Sequence, residues 1–212
     1  MVENPVLILG AKGLGQVALE IFNSHGLLVY GFLEDDETWH QRQIDHVSIL
    51  GRTDDQAFLK LIGAKCEAFV ASDENQYRKH LTNLLLEKRK VMPLNAIHAQ
   101  AYLAQSVQLG HGNLIGPGAI LNAGVKLGSH SVVHACALID YGSQIADYVQ
   151  IGAGSVLNSE VVVEEEAFIG SGVTVVAGVK IGKQARVGAG SVVIQDIAPG
   201  ATVFGNPAQV VK

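Results

Sequence analysis

From Leu103 onward every sixth residue of this chain is aliphatic. The series runs Leu103, Leu109, Ile115, Leu121, Leu127, Val133, Ile139, Ile145, Ile151, Leu157, Val163, Ile169, Val175, Ile181, Val187 and Val193 without a miss. Glycine follows many of these positions (Gly110, Gly116, Gly128, Gly152, Gly170, Gly182, Gly188), and four residues after each aliphatic stands mostly Ala, Ser or Val. A period of six belongs neither to a helix nor to the two-residue alternation of a free-standing strand. Repetition of this kind marks a solenoid. Three short flat faces of six residues give a coil of about 18, with the aliphatic residue turned inward at each corner. Glycine then permits the close approach of backbone to backbone there. The predicted fold is a left-handed parallel β-helix of about five coils, stacked roughly 4.8 Å apart, with residues 18 apart lying above one another.

The segment before this repeat follows different rules. "PVLILG" reads as an apolar strand, "GLGQVALEIFNSHG" as an amphipathic helix and "LLVYGFLEDD" as a second strand ending in acids. "EAFVAS" is a third strand, "QYRKHLTNLLLEKRK" a second helix and "VMPLNAI" the exit. Strands alternating with helices imply a small parallel α/β sheet of Rossmann-like type. Ligands of such sheets bind at the carboxyl ends of the strands, where "GAKGLG" and "FLEDD" both fall. Gly10, Gly13 and Leu14 would then meet a phosphate group at a helix N-terminus. Glu34 and Asp35 would meet the ribose or base of a nucleotide. The glycines do not have the strict dinucleotide spacing, so a tight turn without a ligand is the alternative reading of "GAKGLG". A solvated acidic loop is the corresponding reading of Glu34 to Glu37.

The domain organisation expected is 1–96 for the α/β unit, 97–198 for the β-helix and 199–212 for a C-terminal tail. Net charge is −5, which favours neither nucleic acid nor an anionic membrane surface. Cys66 and Cys136 fall in different predicted domains, as expected of a reduced chain. No apolar run reaches membrane-spanning length and "MVENPVLILG" lacks a basic leader, so a cytoplasmic protein without membrane insertion is expected.

An α/β domain followed by an uninterrupted hexapeptide β-helix resembles the bacterial sugar acetyltransferases that modify nucleotide-linked amino sugars, and the related sialic acid O-acetyltransferases. The resemblance spans "LILGAKGLGQVALEIF", "VYGFLEDD", "ILGRTDD", "NAIHAQA", the β-helix and the tail "VFGNPAQVVK". It implies an acetyl-CoA-dependent acetyltransferase of glycan biosynthesis, N-acetylating or O-acetylating, that works as a homotrimer with acetyl-CoA in the groove between neighbouring β-helices. The chemistry implied is attack of a sugar amine on a thioester, which needs a proton acceptor and a donor to the oxyanion.

The implied base is a histidine flanked by acids, and it would fall in "LIDYGSQ". There this chain has Asp140, Tyr141 and Gly142. A second implied histidine falls at Gln150 and a third at Leu14. A phenol ionises near pH 10 in water against about 6.5 for imidazole, so tyrosine suits hydrogen-bond donation better than proton abstraction. His134 offers a replacement base. Its column reads Gly116, His134, Gly152, Gly170, Gly188, and a polar ring in a glycine column is a local inconsistency of the kind that marks function. A surface histidine and a surface tyrosine covering the solenoid are the plainer readings of His134 and Tyr141. The resemblance further implies an oxyanion donor at the backbone of Ser159, a pantetheine lane at Ala177 and Gly178, and CoA phosphates near Lys180, Lys183 and Arg186, which otherwise read as a solvated basic end. The tail around "GNPAQ" would close near CoA. No metal is expected: His111 and His130 are close in register, but His134 lies on the next face, which does not make a three-histidine zinc site. The rival function is a non-catalytic homologue that binds nucleotide sugar or CoA, motivated by Tyr141, Gly142 and Gln150.

Overall fold

The computed structural model describes residues 4–211. The chain divides into two compact units, residues 1–99 and 100–212.

The first unit is built on a five-stranded sheet. Its elements are β1 (Val6–Leu9), α1 (Leu14–Ser24), β2 (Val29–Leu33), β3 (Gln43–Ile44), β4 (Val47–Gly51), α2 (Gln56–Leu59), β5 (Glu67–Val70) and α3 (Asn75–Arg89). The spatial order is β3-β4-β2-β1-β5, parallel except for the β3–β4 hairpin. Strand β1 is central, and Val6, Leu7, Ile8 and Leu9 are all fully buried, the continuous apolar run expected of a parallel strand covered on both faces. Helix α1 buries Leu14, Ala18, Leu19, Ile21 and Phe22. Helix α3 packs Leu81 and Leu85 against Leu7, Leu9 and Val70. The hairpin carries no glycine or asparagine to announce it. Asp45 and His46 both take positive φ (46° and 70°), the geometry of a two-residue turn that glycine usually supplies.

The second unit is a left-handed β-helix. Each of the sixteen aliphatic residues of the six-residue series is the second residue of a two-residue strand. Every third strand stacks in parallel with a partner 18 residues on, as in Val132↔Gln150, Leu138↔Val156 and Gln144↔Val162. All members of the series from Ile115 to Val193 are buried. Leu103 and Leu109, in the first coil, are half-buried, which departs from the expectation that the whole series is enclosed. The position four residues after each aliphatic also turns inward: Ala119, Val125, Ala137, Val149, Val161 and Val173 are fully buried. Four serines occupy this position, and the first three use it in one way. Ser131, Ser143 and Ser155 donate their hydroxyls to the carbonyls of Ala146, Asn158 and Gly170 (3.1, 3.1 and 2.8 Å). They accept the N–H groups of Val149, Val161 and Val173, one coil on (3.0, 3.2 and 3.2 Å). The glycines are required where coils meet: a Cβ on Gly152 would lie 2.4 Å from the backbone nitrogen of Ser171. After Val193 the strand Thr202–Gly205 extends the sheet of Arg186–Val187 and turns back through Ala208–Val210.

Candidate functional site

In the first unit the turn between β1 and α1 is forced by contact. A Cβ on Gly10 (φ 104°) would meet the Ala71 carbonyl oxygen at 2.0 Å, and one on Gly15 would meet the Gly10 oxygen at 2.2 Å. The buried Glu34 carboxylate accepts the N–H of Ala11 (3.0 Å) and of Asp36 (3.1 Å), tying the end of β2 to this turn. Asp35 accepts the Thr53 N–H (3.0 Å), the Thr53 hydroxyl (2.9 Å) and the Tyr77 hydroxyl (2.6 Å). Burial alone would push the Asp35 carboxyl up, but the Tyr77 and Thr53 hydrogen bonds outweigh it and hold it below the usual carboxylate range. Burial and then the Asp35 bond push the Tyr77 phenol up. Lys12, inside the glycine turn, sets its ammonium 2.6 Å from Asp36, whose carboxyl is held at about 2 by that bond and by Thr38.

These contacts give residues at this end of the sheet a structural role. Glu34 and Asp35 brace the loop from inside, each carboxylate oxygen accepting at least one bond from the chain. The Leu14 side chain lies in the core of α1, so only its backbone belongs to the turn. Gly10 and Gly13 do sit at the carboxyl end of β1, and Gly13 is the residue before α1 (φ 45°).

In the β-helix, His134 follows the strand Val132–Val133, and Tyr141 stands at the next corner, two residues past Leu138–Ile139. The two share no hydrogen bond. Instead the imidazole Nε2 of His134 meets the carboxamide nitrogen of Gln150, one coil on, at 3.2 Å. Asp140 is held by Asn122, one coil back, whose side-chain amide donates to it at 2.8 Å. Tyr141 is 54% exposed. The 18-residue stacking puts Ser159 above Tyr141 and Ala177 above Ser159, with the Tyr141 carbonyl accepting from Glu160 and the Ser159 carbonyl from Gly178 (both 2.9 Å). The N–H of Ser159 donates to no acceptor among the described residues, and the same holds for Tyr141 and Ala177 at the equivalent corners one coil either side. Beside Gly178 there is open space, with nothing within 4 Å of where a Cβ would stand.

The basic residues are not a free cluster. Lys180 pairs with Glu164 and Lys183 with Glu165, each at 2.6 Å, and these bonds raise both ammonium groups above their ordinary range. Arg186 lies over the ring of Phe168, 4.7 Å from its centre. Two of these contacts join residues 18 apart and the register would have found them; Glu164 and Gln150, each 16 from its partner, needed the corner geometry. Among the described residues no three His, Cys, Asp or Glu side chains gather as metal ligands; His130 stacks on Tyr148 with ring centres 4.9 Å apart. No described helix is long and apolar enough to cross a membrane.

Residues 5–85 match the PglD N-terminal domain, and residues 160–195 match the bacterial transferase hexapeptide (six repeats). A mutant perosamine N-acetyltransferase from Caulobacter crescentus, solved with CoA and GDP-perosamine, is 30% identical over 98% of this chain and 97% of its own, with a TM-score of 0.91. The chain belongs to the hexapeptide-repeat sugar acetyltransferases. A second structure like this sugar acetyltransferase is the acetyltransferase domain of PglB from Neisseria gonorrhoeae with acetyl coenzyme A. It is 25% identical over 99% of this chain and all of its own (100%), with a TM-score of 0.88. WeeI from Acinetobacter baumannii, 24% identical over 98% of this chain and 99% of its own, shares the fold at a TM-score of 0.86. No curated protein matches the chain.

Proposed function

We propose that this acetyltransferase moves the acetyl group of acetyl-CoA onto the amino group of a nucleotide-linked amino sugar, as a cytoplasmic homotrimer in glycan biosynthesis. The observation that carries this is the end-to-end likeness to perosamine N-acetyltransferase, covering both units at 30% identity. The nucleotide would meet the glycine turn of Gly10 and Gly13, with Lys12 exchanging Asp36 for phosphate. The acyl donor would run past Tyr141, Ser159, Ala177 and Gly178, where the unpaired Ser159 N–H and the open side of Gly178 leave it room. Lys180, Lys183 and Arg186 would meet its phosphates, the two lysines leaving exposed ion pairs of little intrinsic strength to do so. The tail of residues 199–212 would close beside it.

In the transfer, the amine nitrogen forms a bond to the thioester carbonyl carbon and the carbon–sulfur bond breaks. The amine proton passes to the imidazole of His134 and on to the departing sulfur. Tyr141 donates a hydrogen bond that orients the acetyl oxygen, and Asp140, fixed by Asn122, shapes that corner. The outer face of the sheet containing Ile120, Leu138, Val156, Thr174 and Val192 is apolar except at Thr174, and is the surface a second copy would cover. Turnover of acetyl-CoA with GDP-, UDP- and dTDP-linked amino sugars tests the activity, and light scattering tests the assembly. A 22.4 kDa particle at micromolar concentration would refute the trimer. A second reading, a homologue that binds without turnover, is favoured by the exposed Tyr141 where the resemblance implies histidine. It would stand if every sugar failed while CoA still bound.

A further inference from the structure

The corner that carries Tyr141 is acidic along its whole length. It consists of the turns that follow the strands Tyr102–Leu103, Ile120–Leu121, Leu138–Ile139, Val156–Leu157, Thr174–Val175 and Val192–Val193. The charged residues in those turns are Asp140, Glu160 and Asp196, and no Lys, Arg or His stands among them. We infer that the Glu160 carboxylate receives the ammonium group of the acceptor, so that the site selects an amine over a hydroxyl. This deepens the acetyl-transfer reading and rests on it for what the ammonium belongs to.

Glu160 differs from the other two acids in its partners. Asp140 already accepts the side-chain amide of Asn122, and Asp196 accepts the backbone N–H of Lys180, both at 2.8 Å. The Glu160 side chain has neither a hydrogen bond nor an ion pair among the described residues, and the residue is exposed. Its backbone is tied to the Tyr141 coil, since its N–H donates to the Tyr141 carbonyl at 2.9 Å. Its side chain lies against the same coil: Cγ is the nearest atom to where a Cβ on Gly142 would stand, at 3.4 Å. The carboxylate begins one bond beyond this carbon. The bare backbone of Gly142, beside the exposed Tyr141, is therefore overhung by a negative charge from the next coil.

Glu160 takes φ 59°, and the residues stacked with it at this corner, Gly124, Gly142 and Gly178, take φ 73°, 69° and 74°. Other corners place larger residues in this left-handed conformation, Gln184 at 58° among them, so the conformation alone marks nothing. In this column, however, glycine is the rule, and the exception brings a carboxylate next to Tyr141. No cation on the same two coils follows it: the strands after the Tyr141 and Glu160 turns begin with Gln144 and Val162. Lys126 and Lys180 stand one coil to either side, and Lys180 is paired with Glu164. An aliphatic amine is mainly protonated at neutral pH. Its charge-assisted bond to a carboxylate is stronger than the bond a neutral hydroxyl would make. The pair holds the acceptor before reaction, and the nitrogen attacks only after losing its proton. Glu160 therefore acts on acceptor binding, and its removal is read in KM rather than in kcat.

The test uses full-length wild type, Glu160→Gln and Glu160→Gly. Glutamine suits the turn, as Gln184 shows, and glycine restores the residue of the column. GDP-, UDP- and dTDP-linked amino sugars are compared by calorimetry with the same molecules bearing a hydroxyl in place of the amine. Wild type should bind the amino form of its preferred nucleotide sugar at least fivefold more tightly, and both variants should bring the two forms within twofold. CoA affinity should stay within twofold in all three proteins. With acetyl-CoA, Glu160→Gln should raise KM for the amino sugar at least fivefold and keep kcat within threefold. Equal affinity of wild type for the amino and hydroxy forms, or an amine preference that survives in both variants, would overturn the inference even where acetyl transfer proceeds. An amine preference that depends on Glu160, without turnover of any sugar, would sustain the inference and refute the transfer. If wild type binds none of the sugars, both fall.

Discussion

Replacing Ser143 by alanine probes how the β-helix satisfies its interior. The hydroxyl donates to the Asn158 carbonyl at 3.1 Å and accepts the Val161 N–H at 3.2 Å, both inside the solenoid. Alanine removes both. The Val161 N–H has a fallback that can be read from corners without a serine. There Ala137 and Val179 donate to the carbonyl three residues back at 3.3 and 3.5 Å, a longer bond than the one lost. For Val161 that carbonyl is Asn158's own, so the variant exchanges two buried hydrogen bonds for one longer one. Neither group is left unpaired, and a typical intramolecular hydrogen bond contributes about 0.5–1.5 kcal/mol net, so the loss should be about 1 kcal/mol. The deleted atom is small, and the corners above and below hold Val125 and Val161, so no cavity cost of core-truncation size is expected. Urea unfolding followed by circular dichroism should show a lower midpoint with unchanged slope. Ser131→Ala and Ser155→Ala, with the same two bonds, should give the same loss. A change below about 0.5 kcal/mol at all three sites, the range of ordinary surface substitutions, would refute this role for the serines.

His134→Ala should lower turnover at least about tenfold, since general-base assistance is worth about 10²–10⁴, and initial rates with acetyl-CoA measure it. Tyr141→Phe should cost less, because it deletes one donor and keeps the ring; the opposite order would return the proton to the Tyr141 corner. Replacing Lys180, Lys183 and Arg186 together by alanine should weaken CoA binding in calorimetry, more strongly at low ionic strength. Unchanged affinity would leave those residues to their ion pairs. Lys12→Ala should let Asp36 titrate nearer the ordinary 3.8 than its present value of about 2, as followed by carboxyl NMR shifts. The sign follows from the depressed value: what the Lys12–Asp36 pair contributes is present above 3.8 and disappears as pH falls through about 2.

The β-helix was legible because its code is local. One inward aliphatic per six residues repeats without insertion, so the chain cannot drift out of register, and the 18-residue pairing follows by counting. The apolar run of β1 and the amphipathic stripe of α1 are local in the same sense. Other features depended on residues brought together by coil stacking or by sheet packing. The β3–β4 hairpin escaped because Asp45 and His46 accept a backbone that only surrounding structure imposes. The carboxylates of Glu34 and Asp35 looked available to a ligand until the fold supplied Ala11, Thr53 and Tyr77 as donors. Lys180 and Lys183 looked like an open basic end until the preceding coil brought Glu164 and Glu165 beside them. The candidate site is the plainest case. Its columns can be listed from the sequence, but the His134–Gln150 contact joins two corners 16 residues apart. Backbone periodicity sets where each corner lies; the direction of a side chain leaving a corner is chosen by the coil above it, so only the folded stack decides which polar groups meet.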